Sequence, residues 1–80
     1  VNCKDQAEVD YYWNTLTSDG GMESQCGWLK DKFGVSWQIV PNRLIELLGD
    51  SNPVKAQKVM MAMLKMKKII ISNLEDAYKN

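Results

Sequence analysis

Pro41 divides the sequence into two patterns. A proline has no N–H to give a sheet ladder, so an extended run that reaches it must stop there or lie at a sheet edge. Ahead of it, Gln25-Cys26-Gly27-Trp28-Leu29-Lys30 and Val35-Ser36-Trp37-Gln38-Ile39-Val40 are rich in β-branched and aromatic residues and flank Asp31-Lys32-Phe33-Gly34, the composition of a hairpin and its turn. Behind it the apolar residues recur at helical spacing. The expectation is an α+β chain in which residues 1–40 carry the strands and residues 41–80 form a helical extension of the same domain.

Upstream of the hairpin, Asp5-Gln6-Ala7-Glu8 has capping-box spacing, with Asp5 accepting from the amide three residues on and Glu8 reaching back to the cap amide. Val9, Tyr12, Trp13 and Leu16 follow as one apolar stripe, Asp10 and Asn14 face water, and Asp19-Gly20-Gly21 ends the helix. If Lys30 pairs with Val35 in the hairpin, Trp28 lies opposite Trp37 and Cys26 opposite Ile39 on one face. Gly27 then faces Gln38 and Leu29 faces Ser36 on the other, more polar face.

Past Pro41, residues 43–48 make a short helix closed by Gly49. Asn52 caps and Pro53 opens a helix running to about Lys67, with Ala56, Val59, Met60 and Met63 as its buried stripe. Met60, Met61, Met63 and Met66 wrap more than one side of it, and Lys55, Lys58, Lys65, Lys67 and Lys68 form its solvated face. Ser72-Asn73-Leu74-Glu75 is a second capping box, opening a terminal helix that buries Leu74, Ala77 and Tyr78.

Ten basic and ten acidic side chains cancel, so neither nucleic acid nor a membrane surface is expected as a partner. No run of about 18 apolar residues occurs, and a cytoplasmic location is expected. Cys3 and Cys26 are too sparse for a disulfide scaffold and, with no histidine in the chain, too few for a familiar zinc site, so both read as packed free thiols. Val1-Asn2-Cys3 reads as the end of a strand that starts outside the sequence, and the chain is expected to be a fragment or a processed product.

The order strand, helix, short strand, hairpin resembles the βαβββ module of the vicinal-oxygen-chelate (glyoxalase-like) superfamily. The segments Glu8-Val9-Asp10-Tyr11-Tyr12-Trp13, Gln25-Cys26-Gly27-Trp28-Leu29-Lys30-Asp31 and Phe33-Gly34-Val35-Ser36-Trp37-Gln38-Ile39-Val40-Pro41 resemble its PhnB-like branch, the one that carries the name 3-demethylubiquinone-9 3-methyltransferase. The tail is similar too, through Lys55-Ala56-Gln57, Val59-Met60, Ala62-Met63-Leu64 and Met66-Lys67-Lys68-Ile69. The resemblance implies a C-terminal half: one glyoxalase-like module with added helices, completed by homodimerisation or by a separate N-terminal module.

In metal-using members the last strand carries a glutamate ligand, and the resemblance puts Gln38 at that place. A neutral amide oxygen offers a divalent cation a dipole where a carboxylate offers charge, so this chain alone makes a weak case for a metal. Gln38 reads equally as an amide bonded within the sheet. Trp28 and Trp37 read as a cross-strand core pair or as a stacking platform.

Three functions are consistent with the resemblance. One is an enzyme whose site forms between modules, with Gln38 as this chain's contribution. Another is a non-catalytic small-molecule binder of the bleomycin-resistance type, its cup lined by Trp28, Ser36, Trp37 and Gln38. The third is a structural remnant that only dimerises. Methyl transfer is not supported by the residues, because a Gly-rich turn on a doubly wound sheet, the common cradle for such a cofactor, is not present in the sequence.

Overall fold

The computed structural model describes residues 1–79. Its elements in order are β1 (Asn2–Cys3), α1 (Gln6–Thr17), β2 (Met22–Glu23), β3 (Trp28–Lys30), β4 (Ser36–Gln38), β5 (Val40–Pro41), α2 (Asn42–Leu48), α3 (Pro53–Leu64) and α4 (Ile71–Lys79). The chain is α+β, and its strands fall into an antiparallel sheet of order β2-β3-β4 and a parallel pair β1-β5. The two sheets meet along residues 36–41, which are extended except at Ile39. One edge of this run bonds to β3, with the Ile39 amide donating to Gly27 O at 2.8 Å. The other edge bonds to the start of the chain, the Val40 amide donating to Val1 O at 2.9 Å and the Val1 ammonium to Gln38 O at 2.7 Å.

α1 starts where its cap predicts: the Asp5 carboxylate accepts from the Glu8 amide at 2.9 Å. Glu8 reaches back one residue further than a capping box requires, accepting from the Lys4 amide at 2.8 Å. The stripe packs as expected, Val9 and Trp13 being buried with Cys3, Leu29 and Ile39 while Tyr12 and Leu16 flank them. A second cluster, Leu44, Leu47, Val59, Ile69 and Leu74, holds the helices together. Each fully buried aliphatic side chain in these clusters contributes roughly 1.5–3 kcal/mol relative to its exposed state.

The hairpin register differs by one residue from the expected one. Lys30 pairs with Ser36, Leu29 with Trp37 and Trp28 with Gln38. The cause is Gly34, whose φ of +84° adds a left-handed residue after the turn. The Gly34 amide donates to Asp31 O at 3.0 Å and the Asp31 amide to Val35 O at 2.9 Å, so Asp31 rather than Lys30 closes against Val35. A one-residue slip exchanges faces: Leu29, not Trp28, enters the core, and no Trp28–Trp37 core pair forms. Cys26 lies outside the ladder, and β3 begins only at Trp28.

The helical half departs from expectation at both ends of one crossing segment. α3 stops at Leu64, short of Lys67, where the Lys65 and Met66 amides turn to Ala62 O and Met63 O at 3.2 and 3.0 Å, and the Met66 and Lys67 carbonyls beyond it accept from the Cys26 and Gly27 amides, each at 2.8 Å. Its inward face is Val59 with Ala62, Met63 and Met66, and Met60 is 46% exposed. α4 begins at Ile71, so Ser72 lies inside the helix and its capping box does not form. Its first amide is instead met by α1, the Ile71 N–H donating to Gln6 Oε1 at 2.8 Å while Gln6 Nε2 donates to Ile69 O at 3.0 Å. Leu74 is buried and Ala77 and Tyr78 are half-buried, as the helical spacing predicts.

Gly27, at φ +81°, sits where the crossing segment meets the sheet, and a Cβ there would lie 2.9 Å from Ile39 O and 3.1 Å from Ile69 Cγ1. Gly34 has a similar φ but open space around it. Gly27→Ala is therefore expected to cost about 2 kcal/mol or more and to lower Tm by roughly 10 °C, and Gly34→Ala about half as much, in thermal melts followed by circular dichroism. Equal losses from the two substitutions would refute the close packing at Gly27.

Candidate functional site

Pairing and alternation assign the side chains of the three-stranded sheet to its two faces. Glu23, Leu29 and Trp37 lie toward α1: Glu23 and Leu29 are ladder partners, Leu29 is in the core, and Glu23 Oε1 accepts the Trp13 indole N–H at 2.7 Å. Met22, Trp28, Lys30, Ser36 and Gln38 lie on the opposite face, which no helix covers. A hollow of about 380 Å³ opens on that face, lined by Met22, Ser24, Trp28, Lys30 and Ser36 together with Glu23 and Leu29. This is within the range of small-molecule clefts, roughly 300–1,000 Å³.

The register slip decides which sequence-expected residues meet here. Trp28 and Ser36 line the hollow, and Gln38 stands beside Ser36 on the same face of β4 as the ladder partner of Trp28. Gln38 Nε2 donates to Cys26 O at 3.2 Å, the in-sheet bonding considered above, and its Oε1 takes no bond from the described residues. Trp37 is on the other face, its indole N–H donating to Asp31 Oδ2 at 2.9 Å. Met22 and Lys30 were missed. Alternation along β3 already put Lys30 beside Trp28, and only the assumed register hid that both face Ser36.

Of the polar groups around the hollow, the Glu23 carboxylate is engaged by Trp13. Among the described residues the Trp28 indole N–H, the Lys30 ammonium and the Ser36 hydroxyl make no hydrogen bond or ion pair. Trp28 is 44% exposed and Met22 is 68% exposed, so an apolar surface lies beside these donors.

A larger hollow, about 580 Å³, runs between the starts of α1 and α4, with Lys4, Asp10, Arg43, Lys68 and Glu75 along it. Most of its charges pair with one another: Lys68 Nζ lies 2.9 Å from Asp10 Oδ1 and Arg43 Nε 3.0 Å from Glu75 Oε1, with Glu46 also on Arg43 at 3.1 Å. The bond from Lys68, then that from Gln6, holds the Asp10 carboxyl below its ordinary range, so Asp10 and Lys68 form a bridge between halves instead of the solvated groups that the spacing suggests. Lys55 likewise is not simply solvated, its ammonium lying over the Tyr78 ring at 4.7 Å. No group of three or more His, Cys, Asp or Glu side chains among the described residues is placed to hold a metal ion. Cys3 is a buried free thiol whose pKa burial pushes up, and Cys26 is a half-buried one.

A family model for 3-demethylubiquinone-9 3-methyltransferase matches residues 1–40, half of the chain, from β1 through the strand that forms one wall of the open face. The chain belongs to that family. No curated protein matches it. The family match takes in α1, the hairpin and every residue lining the open hollow, so the site lies wholly inside the family's part of the chain. No helix among the described residues is long and apolar enough to cross a membrane.

The Asp31 bonds that shape the hairpin tip yield a pH prediction. The Trp37 indole, then the amides of Val35, Phe33 and Gly34, hold the Asp31 carboxyl below its ordinary 3.8. A depressed folded-state pKa contributes stability that is present above the ordinary value and lost as pH falls through the folded one. Asp31→Asn is expected to lower Tm near neutral pH and to show a shallower fall than the wild type as pH drops below about 3.8. Melts between pH 6 and pH 2 check this, and parallel curves for the two proteins would exclude Asp31 as a source of the acid limb.

Proposed function

We propose that the chain is the ligand-binding half of a small-molecule receptor of the glyoxalase-like, PhnB-like type, in which the open face of the β2-β3-β4 sheet forms one wall of a cup. The observation that carries this reading is the uncovered hollow itself, where an exposed tryptophan and methionine stand beside unpaired donors. A sheet face left bare in a small domain is an unsatisfied surface that a ligand or a second module covers. Family membership over residues 1–40 and the order strand, helix, short strand, hairpin support the placement.

Binding is favoured over methyl transfer on fold grounds. The family's name speaks of a methyltransferase, but the parallel pairing in this chain is confined to Asn2–Cys3 against Val40–Pro41, far from the doubly wound sheet on which such cofactor sites are commonly built. Binding is also favoured over metal-assisted catalysis, because Gln38 brings a neutral amide to the face and no group of three or more His, Cys, Asp or Glu side chains among the described residues is placed to hold a metal ion.

The second wall is supplied by another copy of this chain or by a separate N-terminal module, with Trp28 and Met22 at the junction. Light scattering at micromolar concentration is expected to give twice the chain mass for the protein alone, or a one-to-one complex once the N-terminal module is added. Trp28→Ala is expected to abolish ligand-induced thermal stabilisation while leaving the unliganded melt within about 1 kcal/mol of wild type, because a half-exposed side chain is lost. A monomer that gains no stability from any small organic ligand and pairs with no second module would sink the proposal.

A further inference from the structure

We infer that the open sheet face selects a planar aromatic carboxylate, a step that rests on the cup reading above and gives it a ligand class. The argument starts from the sign and kind of the polar groups there. Among the described residues, Lys30 on β3, Ser36 on β4 and the Trp28 indole N–H are donors without an acceptor, and Lys30 and Ser36 are direct ladder partners. The charged group among them is a cation, flanked by two further N–H or O–H donors, and a carboxylate answers all three with charge while the Gln38 Oε1 stands apart beside Trp28.

Two anionic side chains lie close by, and both are engaged away from the open face, Asp31 by the Trp37 indole at 2.9 Å and by the hairpin-tip amides. Glu23 borders the hollow, but its ladder partner is Leu29 and its carboxylate is engaged by Trp13 at 2.7 Å on the helix side of the sheet. Lys30 is therefore the charge carried by the open face itself. It contrasts with the groove between α1 and α4, where Asp10 and Glu75 already neutralise Lys68 and Arg43.

The apolar part of the hollow sets the rest of the ligand. Trp28 presents half of its surface, and Met22 adds a flexible, polarisable thioether on the neighbouring strand. Tryptophan favours flat π-systems, methionine adapts to their edges, and both stand on the face that bears the ammonium. An aromatic ring with a carboxylate meets all of these groups at once. A neutral aromatic leaves Lys30 unmatched, and a small aliphatic acid leaves Trp28 uncovered.

The test is calorimetric titration of the chain with 2-naphthoate, 2-naphthalenemethanol and cyclohexanecarboxylate, against Lys30→Gln, Trp28→Leu and, as a control lysine on the hairpin tip, Lys32→Gln. Naphthoate is expected to bind most tightly, to weaken as salt is raised, and to lose about tenfold in affinity in Lys30→Gln but not in Lys32→Gln. The alcohol is expected to bind more weakly and to be indifferent to Lys30→Gln, and Trp28→Leu is expected to impair both aromatic compounds. If the alcohol binds as tightly as the acid, or Lys32→Gln weakens naphthoate as much as Lys30→Gln, the carboxylate assignment is wrong while the cup stands. If none of the three compounds binds at millimolar concentration, the cup itself is overturned.

Discussion

Two backbone hydrogen bonds, from the amides of Cys26 and Gly27 to the carbonyls of Met66 and Lys67, tie the strand-bearing and helical halves together. They require both donor residues at positive φ, +58° for Cys26 and +81° for Gly27, so that consecutive amides point to one side of the chain. Everything behind them follows from that docking. α3 closes just before them, with the Lys65 and Met66 amides bonded to Ala62 O and Met63 O, and carbonyls 66 and 67 are then turned to the sheet. The chain then bends at Lys67 and Lys68, with Ile69 against Gly27 and in the second core and α4 starting beside Gln6. The two apolar clusters, one under the sheet and one among the helices, are held side by side by this crossing.

A second backbone detail governs chemistry in place of stability. The left-handed Gly34 lets the hairpin close on Asp31 and Val35 with three loop residues in place of four, and this register has Leu29 packing inward while Trp28 and Lys30 face out with Ser36 and Gln38. With a four-residue loop closed by Lys30 and Val35 the open face would carry Leu29 and Gly27, and the tryptophan would pack in the core. The character of the candidate site is thus set at a glycine on the hairpin tip, outside the hollow itself.

Local chemistry was readable in the sequence where the partners are local. The Asp5 cap, the Val9–Trp13 stripe, the Asn52-Pro53 helix start and the burial of Leu74 each depend on groups within about four residues, and each stands in the structure. The features that were not readable depend on distant partners. Ser72 and Glu75 form a sound capping pattern, but Gln6 reaches Ile71 from the other end of the chain and places the helix start earlier. The spacing of α3 runs on to Lys67, but the helix closes at Leu64 and the carbonyls of Met66 and Lys67 bond to Cys26 and Gly27. At the candidate site, the expected residues Trp28, Ser36 and Gln38 share the open face of the sheet. Trp37 was assigned to the same group because loop residues were counted as four where Gly34 makes the closing pair Asp31 and Val35.

Gln6 has a consequence for how the molecule comes into being. Its one side-chain amide binds the Asp10 carboxylate, the Ile69 carbonyl and the Ile71 N–H, joining the first turn of α1 to the first turn of α4 across 65 residues of chain. Such a contact forms only after the chain has been made through Ile71, and closing so long a loop is entropically costly until intervening contacts shorten it. During synthesis, α1 and the hairpin can associate early through Val9, Trp13 and Leu29, but Gly27 and Gln6 then wait with open hydrogen-bonding groups. The arrival of residues 65–71 completes both at once, so the last quarter of the chain acts as the clasp that converts a loosely assembled sheet into a cooperative fold.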